Sequence, residues 1–137
     1  MKLCVCDRKS CMTAKSDYMF DTNFHDKEEY YHHDRFRERI EMAAKYLDKQ
    51  LKMGKPVLVF CQAGINRSAA LVVYYAITRK GMTYQEAVSY VRGRNMDVRG
   101  VNALTNRAFK RNLRLVSYQF RFRSPESYVP IQDGFDP

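Results

Sequence analysis

A thiol and a guanidinium lie six positions apart in this chain, at Cys61 and Arg67, with Gly64 between them. Residues 56–60 form an apolar, β-branched run that is typical of a buried parallel strand, and residues 68–76 are typical of a buried helix. The loop between them therefore starts a helix, where the first N–H groups lack intrahelical partners and the helix dipole favours negative charge. A cysteine on a core strand is often inert packing, but this spacing favours a site for a phosphate-like oxyanion.

The same surroundings would make Cys61 a nucleophile. A free thiol has a pKa of about 8.5, and a helix N-terminus with a nearby cation lowers it to ~3.5–7.5, so we expect thiolate near neutral pH. Arg67 would hold two phosphate oxygens with its planar fork. Ser68 would donate its hydroxyl to the sulfur, or serve as an ordinary serine at a helix start, or both. The predicted phosphate cradle is the loop itself: Gln62, Ala63, Gly64, Ile65, Asn66 and Arg67.

The run Cys61-x5-Arg67-Ser68 resembles the active-site loop of cysteine-dependent protein phosphatases, specifically the dual-specificity branch. Residues 106–113 (NRAFKRNL) are similar to that family's Asn-x-x-Phe-x-x-Gln-Leu segment, most closely as poxvirus-type members carry it. The resemblance covers residues 3–115. It implies an α/β cysteine-phosphatase fold, with a parallel central sheet flanked by helices on both faces.

The resemblance also implies a reaction. It is hydrolysis of phosphotyrosine, phosphoserine and phosphothreonine monoesters in proteins through a phosphocysteine, without cofactor or metal. An aspartic acid must protonate the leaving oxygen and then activate water. We predict Asp26, which follows an apolar stretch and precedes an acidic one, with Asp21 as the alternative and Asp34 as a helix N-cap. Asn106 matches the family's water-positioning or loop-supporting asparagine, or simply caps the last helix.

One residue departs from the family pattern. Phe60 stands where the family has a histidine before the nucleophile. We expect Phe60 to raise the pKa of Cys61 somewhat and to weaken the enzyme at mildly acidic pH.

Two alternatives therefore stay open. The net charge of +9 also suits RNA 5′ ends, on which a branch of the superfamily acts as a triphosphatase or phosphatase. That branch usually has His and Thr where Ala63 and Ser68 stand. The second alternative is a weakly active pseudophosphatase that binds phosphopeptides, suggested by Phe60 and the short front of the chain.

Periodicity predicts the elements around the loop. Strands are expected at 3–6 and 56–60, with a second strand or a lid within 17–26. Helices are expected at 34–53, 68–80, from Tyr84 after a Thr83-x-x-Glu86 capping box, and at 105–118. The first helix should bury Phe36, Ile40, Ala43, Ala44, Leu47 and Leu51, and the third Ala87, Val88, Tyr90 and Val91. We divide the chain into a catalytic domain, 1–118, and an irregular tail, 119–137.

Length and composition bound the remaining expectations. With 137 residues and 45% hydrophobic content, the chain has room for a single core. No apolar run is long enough to cross a membrane and no secretory signal is evident, so we expect an intracellular protein, cytoplasmic or nuclear.

No metal site is expected. Core packing explains Cys4, Cys6 and Cys11 better than zinc does, and a solvated loop explains the histidines His25, His32 and His33.

The front of the chain looks short for the family, which usually has two more strands and a helix before residues 3–6. We therefore expect a minimal or truncated member, or a second chain over the exposed sheet edge, as in a homodimer.

Overall fold

The computed structural model describes residues 2–6, 18–21, 33–60, 66–100 and 102–122. Its elements in chain order are β1 (Lys2–Cys6), β2 (Tyr18–Asp21), α1 (His33–Lys52), β3 (Leu58–Phe60), α2 (Arg67–Lys80), α3 (Tyr84–Arg99) and α4 (Arg107–Phe122). The three strands are parallel in the order β2-β1-β3, with Cys4 of β1 opposite Met19 on one side and Phe60 on the other. Strands thus lie where the sequence predicted them at 3–6 and 56–60, and the 17–26 segment contains β2.

The sheet carries the helical core on one face. Val57 and Val59 pack against that core, whereas Leu58, whose side chain alternates to the opposite face, is 58% exposed. The prediction of a fully buried strand was therefore wrong at Leu58. The reason is that the four described helices join one core cluster, on the Val57 and Val59 side.

Helix α2 forms the centre of this core and contacts α1, α3, α4 and the sheet. Ala70, Leu71 and Val73 are fully buried. The helix ends at Gly81, whose φ of 68° is a left-handed conformation that glycine adopts without strain, and whose N–H donates to the carbonyl of Ala76. The predicted stop at Gly81 is confirmed.

The predicted capping box at the start of α3 is also confirmed. The Thr83 hydroxyl accepts from the Glu86 N–H at 3.0 Å, and the Glu86 carboxylate accepts from the Thr83 N–H at 3.2 Å. Two N–H groups that the helix cannot pair are thereby satisfied. At the other end of α3 Gly100 is again left-handed, with φ of 66°.

Three local predictions were wrong. Helix α1 begins at His33, so Asp34 lies in its first turn and is not the residue before it. Leu51, predicted to be buried, is 40% exposed because it lies in the last turn of α1, beyond the buried Leu47. Tyr90 is 61% exposed, because two residues after the buried Val88 a helix has turned by about 200°.

A polar cluster ties α1 to α2. The carboxylate of Glu41 accepts from Nη2 of Arg79 at 2.6 Å, from its Nη1 at 3.1 Å, and from the hydroxyl of Tyr74. Burial works to raise the pKa of Glu41, but the hydrogen bonds from Arg79 and Tyr74 and the charges of Arg79 and Lys45 outweigh it, so the pKa lies below its usual value. Burial and the bond to Glu41 raise the pKa of Tyr74 to about 12.

Helix α4 closes the core against α1 and α3. The rings of Phe36 and Phe109 lie 5.9 Å apart between centroids, and the Ser117 hydroxyl accepts from the N–H of Tyr84 at 3.2 Å. The helix continues to Phe122, four residues beyond the predicted end of the catalytic domain at 118. Among the described residues, no helix has the length and apolar character that a bilayer span requires.

Candidate active site

The predicted phosphate loop joins the carboxyl end of β3 to the first turn of α2. Phe60 is the last residue of β3, Asn66 precedes α2, and Arg67 is its first residue. The loop positions Cys61, Gln62, Ala63, Gly64 and Ile65 lie outside the described residues, as does the predicted general acid Asp26. The alternative acid, Asp21, is the last residue of β2. Their predicted roles stay predictions.

Arg67 and Ser68 are buried in the first turn of α2, with 7% and 9% of their surface exposed. That turn contains no acidic residue. A guanidinium there lies at the positive end of a helix dipole and largely out of water, and both conditions disfavour a cation. A bound oxyanion would relieve both, and the sequence-based prediction that one binds here stays a prediction.

Asn66 is buried and forms contacts that the sequence did not reveal. It occupies the N-cap position of α2, with φ of −114° and ψ of −56°, but its side chain makes no capping hydrogen bond to that helix. Instead its Oδ1 accepts from the N–H groups of Thr105 at 2.7 Å and Asn106 at 2.8 Å, and from the Thr105 hydroxyl at 3.3 Å. Asn66 was predicted only as a backbone position of the cradle. Its side chain links the start of α2 to the segment before α4.

Asn106 lies at this junction and is 1% exposed. Its Oδ1 accepts from the N–H of Phe109 at 3.0 Å, which is an N-cap of α4, and the carbonyl of Asn106 accepts from Lys110 at 3.1 Å. The capping role that the sequence offered as one alternative is therefore present. Because the N–H of Asn106 is also held by Asn66, the cap of α4 and the start of α2 are fixed together.

Arg92 holds the same segment from its other side. Its Nε donates to the carbonyl of Ala103 at 3.0 Å, and its Nη2 donates to the carbonyl of Leu104 at 2.9 Å. Leu104 is fully buried and has φ of 58°, a left-handed conformation that costs a non-glycine residue of order 1–3 kcal/mol. Sequence reasoning missed this role, since Arg92 is one of 24 lysines and arginines and leucine is not typical of positive φ. We call residues 103–106 the braced segment.

A groove of about 360 Å³ runs from the start of α2 along the C-terminal half of α3. Ser68 lies at its end nearest Arg67, and Arg94 is its one charged lining residue among those that the structure describes. The remaining lining residues are Val59, Ala69, Val72, Tyr90, Val91, Asn95, Val98 and Ala103. Tyr90 is exposed because its ring faces this groove and not the core.

The described residues hold no group of three or more His, Cys, Asp or Glu side chains placed to bind a metal ion.

Comparison with known proteins identifies the family. A family model described as "Dual specificity phosphatase, catalytic domain" matches residues 3–119. The chain belongs to the dual-specificity phosphatase family. The resemblance inferred from the loop and its flanks is thereby confirmed.

Individual relatives match parts of the chain. The human serine/threonine/tyrosine-interacting protein is 45% identical over 53 residues, which are 39% of this chain and 24% of that protein. A putative tyrosine-protein phosphatase, R622, of Acanthamoeba polyphaga mimivirus is 31% identical over 80 residues, 58% of this chain and 34% of that protein. The matched parts thus span about a quarter to a third of these relatives' lengths.

Solved structures of phosphatases share the fold. The crystal structure of human tyrosine phosphatase-like serine/threonine/tyrosine-interacting protein is 26% identical, with a TM-score of 0.65, over 83% of this chain and 73% of that one. Human DUSP28 gives a TM-score of 0.70 over 90% of this chain and 80% of that one, at 19% identity. The predicted fold class is therefore confirmed as that of a dual-specificity phosphatase domain. The predicted flanking of the sheet by helices on both faces is not seen within the described residues.

Proposed function

We propose that this protein hydrolyses phosphotyrosine, phosphoserine and phosphothreonine monoesters in proteins through a phosphocysteine at Cys61. The observation that carries the proposal is the burial of Arg67 in the first turn of α2, directly after the loop that contains Cys61. A buried cation at a helix N-terminus suits an anion that carries two charges, as a phosphate monoester does. Membership in the dual-specificity phosphatase family supports the reaction class.

The proposed chemistry has two steps. The Cys61 thiolate attacks phosphorus, an S–P bond forms, and the P–O bond to the serine, threonine or tyrosine oxygen breaks. Asp26, or Asp21 in its place, gives that oxygen its proton. The resulting carboxylate then takes a proton from water, whose oxygen attacks phosphorus and breaks the S–P bond. Phosphate leaves, and the thiolate re-forms with the Ser68 hydroxyl donating to it.

Arg67 contributes in both steps. The attacked phosphorus carries oxygens whose charge is redistributed in the transition state, and a planar guanidinium holds two of them without moving. Since Arg67 is already buried, it needs little desolvation at the moment of reaction. We expect the loop N–H groups to hold the remaining oxygens.

A second candidate is binding without efficient turnover. It is favoured by the 45% identity, over 53 residues, to the human serine/threonine/tyrosine-interacting protein, whose solved structure is described as tyrosine phosphatase-like. Phe60 in place of the family's histidine points the same way. Binding would use Arg67 and the loop amides and would not need Cys61 as a nucleophile.

The deciding experiment measures phosphate release from a phosphotyrosine peptide and a phosphothreonine peptide. We expect turnover of both by the wild type and none by Cys61→Ser, while Cys11→Ser, the matched loss of another thiol, keeps full activity. Equal rates for wild type and Cys61→Ser would refute the phosphocysteine. Tight peptide binding without turnover would establish the binding candidate instead.

The same assay tests the general acid. Asp26→Asn should lose more activity toward an alkyl phosphate than toward an aryl phosphate with a good leaving group, because only the alkyl oxygen needs a proton to leave. Asp34→Asn is the control, since it lies in the first turn of α1. If the selective loss follows Asp21→Asn instead, the acid is Asp21. Phosphate release from triphosphate-ended RNA with little from either peptide would make the protein an RNA 5′-phosphatase.

A further inference from the structure

Asn66 stands at a position where asparagine usually caps a helix, but it does not do so here. N-cap residues normally have extended backbone angles and accept a hydrogen bond from the second or third helical N–H. Asn66 has helical angles, and its carboxamide turns away from α2. Its Oδ1 takes three donors from Thr105 and Asn106 instead. The Asn66 side chain therefore accepts no hydrogen bond from the N–H groups in the first turn of α2.

The braced segment that receives this side chain is rigid for a second reason. Asn66 accepts from two of its N–H groups, those of Thr105 and Asn106. Arg92 donates to two of its carbonyls, those of Ala103 and Leu104. Between these attachments Leu104 keeps a left-handed backbone, which persists only where the surroundings determine it fully. Asn66 is thus attached to a fixed point of the fold that lies 39 residues further along the chain, at Thr105.

We infer that Asn66 is a positioning residue for Arg67. By fixing the peptide before Arg67 to the braced segment, it sets where the guanidinium enters the phosphate site, while its own side chain makes no capping hydrogen bond to α2. This inference rests on the proposed oxyanion site and extends it. Placement matters because a shift of about 1 Å in a group that holds the substrate costs up to ~100-fold in rate.

Two substitutions separate positioning from a general role in stability. Asn66→Ala removes the link to the braced segment. Asn66→Ser also removes it, but serine is a favoured N-cap and its hydroxyl would bond the first turn of α2. Serine should therefore recover part of the stability lost in the alanine variant while competing with the phosphate for the same amides.

Asn112→Ala is the matched control. Asn112 is also a buried asparagine, 4% exposed, and its Nδ2 donates to the carbonyl of Ala108 at 2.9 Å within α4. Its substitution should destabilise the fold while the bonds of Asn66 to the braced segment stay in place.

The experiment measures the urea midpoint, tungstate affinity by calorimetry, and kcat and KM with an aryl phosphate for all four proteins. We expect all three variants to lower the urea midpoint, Asn66→Ser less than Asn66→Ala. Tungstate affinity and kcat/KM should fall about 10-fold or more in both Asn66 variants, which is within the effect of a misplaced binding group. Both quantities should stay within about 2-fold of wild type in Asn112→Ala. A role in stability alone would make tungstate affinity follow the urea midpoint across the series.

The outcomes distinguish this inference from the proposed function. Wild-type tungstate affinity in Asn66→Ser would overturn the positioning role and leave the phosphatase proposal intact. Tungstate binding that depends on Asn66, in a wild type that turns over no phosphopeptide, would overturn hydrolysis and leave the positioning role. Should Asn66→Ala fail to fold, the serine variant decides. A wild type that binds no tungstate refutes both.

Discussion

Arg67→Met tests the central electrostatic claim, that a buried guanidinium at the start of α2 is placed there for an anion. Methionine is similar in length and keeps the apolar contacts of the arginine stem, while the charge is removed. Without a ligand, three effects oppose one another. The polar interactions of the Arg67 side chain are lost, and a hydrogen bond to a charged group contributes about 1.5–3 kcal/mol. In return, repulsion from the helix dipole of ~0.3–1 kcal/mol disappears, together with the desolvation cost of a buried cation.

The ligand-free effect on folding should therefore be small. We expect the free energy of unfolding of Arg67→Met to lie within about 2 kcal/mol of the wild type. The effect on the liganded protein should be much larger. An anion present at 100 times its dissociation constant stabilises the fold by about 2.7 kcal/mol. At roughly 4 °C per kcal/mol for a domain of this size, that is a rise in Tm of about 10 °C.

The assay is a thermal melt with and without tungstate, on the wild type, Arg67→Met and Lys80→Met. Lys80 supplies the control because it is an exposed cation in the last turn of α2, at the opposite end of the helix from Arg67, so its substitution changes net charge equally. Wild type and Lys80→Met should gain the ~10 °C, and Arg67→Met should gain almost none. A full gain in Arg67→Met would refute the placement argued from burial. Equal loss in both variants would mean that tungstate responds only to overall charge.

Two further predictions concern pH and the α1–α2 cluster. Phe60→His should raise kcat/KM at mildly acidic pH, because an adjacent imidazolium favours the Cys61 thiolate. For the same reason it should lower the pH midpoint of Cys61 inactivation by iodoacetamide. An unchanged midpoint would contradict this prediction. Glu41→Gln should lower the free energy of unfolding in urea at pH 7 by ~1–3 kcal/mol, because it removes the carboxylate charge that pairs with Arg79. The control Glu38→Gln, at an exposed position, should lower it by less than ~0.5 kcal/mol. Since the folded-state pKa of Glu41 lies below its usual 4.5, its stabilisation is complete above that pH and is lost as pH falls through the folded pKa. The difference in stability between wild type and Glu41→Gln should accordingly shrink in acid, and a constant difference from pH 7 to pH 3 would refute that origin.

Features set by neighbours in the sequence could be predicted well. The end of α2 at Gly81 and the capping box of Thr83 and Glu86 depend on hydrogen bonds within a few residues, so residue type and spacing determine them. The loop from Cys61 to Arg67 was inferred on the same kind of local evidence, the residues that stand between one strand and one helix, and its chemistry stays a prediction.

Features set by distant contacts could not be predicted. Nothing near Asn66 indicates that its side chain bonds to Thr105 and not to its own helix, because that choice depends on where α4 begins in space. The left-handed Leu104 is held by Arg92, eleven or twelve residues earlier in the chain, and leucine itself favours no such conformation. Tyr90 was wrongly predicted to lie in the core for a related reason. The packing of α3 against the rest of the fold, and not the local sequence, decides that its ring lines the groove.

The described part of the proposed site would serve binding and catalysis alike, and this determines which experiments can separate them. Arg67, with Asn66 and the braced segment behind it, would hold a phosphate equally well before, during or without reaction. Catalysis adds a thiolate and a proton donor, and both depend on residues beyond this framework. Anion affinity measured on the Arg67 and Asn66 variants therefore tests the framework, while turnover by Cys61→Ser and the titration of Cys61 test the chemistry. A protein that binds the anion through this framework but does not turn over phosphopeptides would be a phosphopeptide binder built on a phosphatase fold.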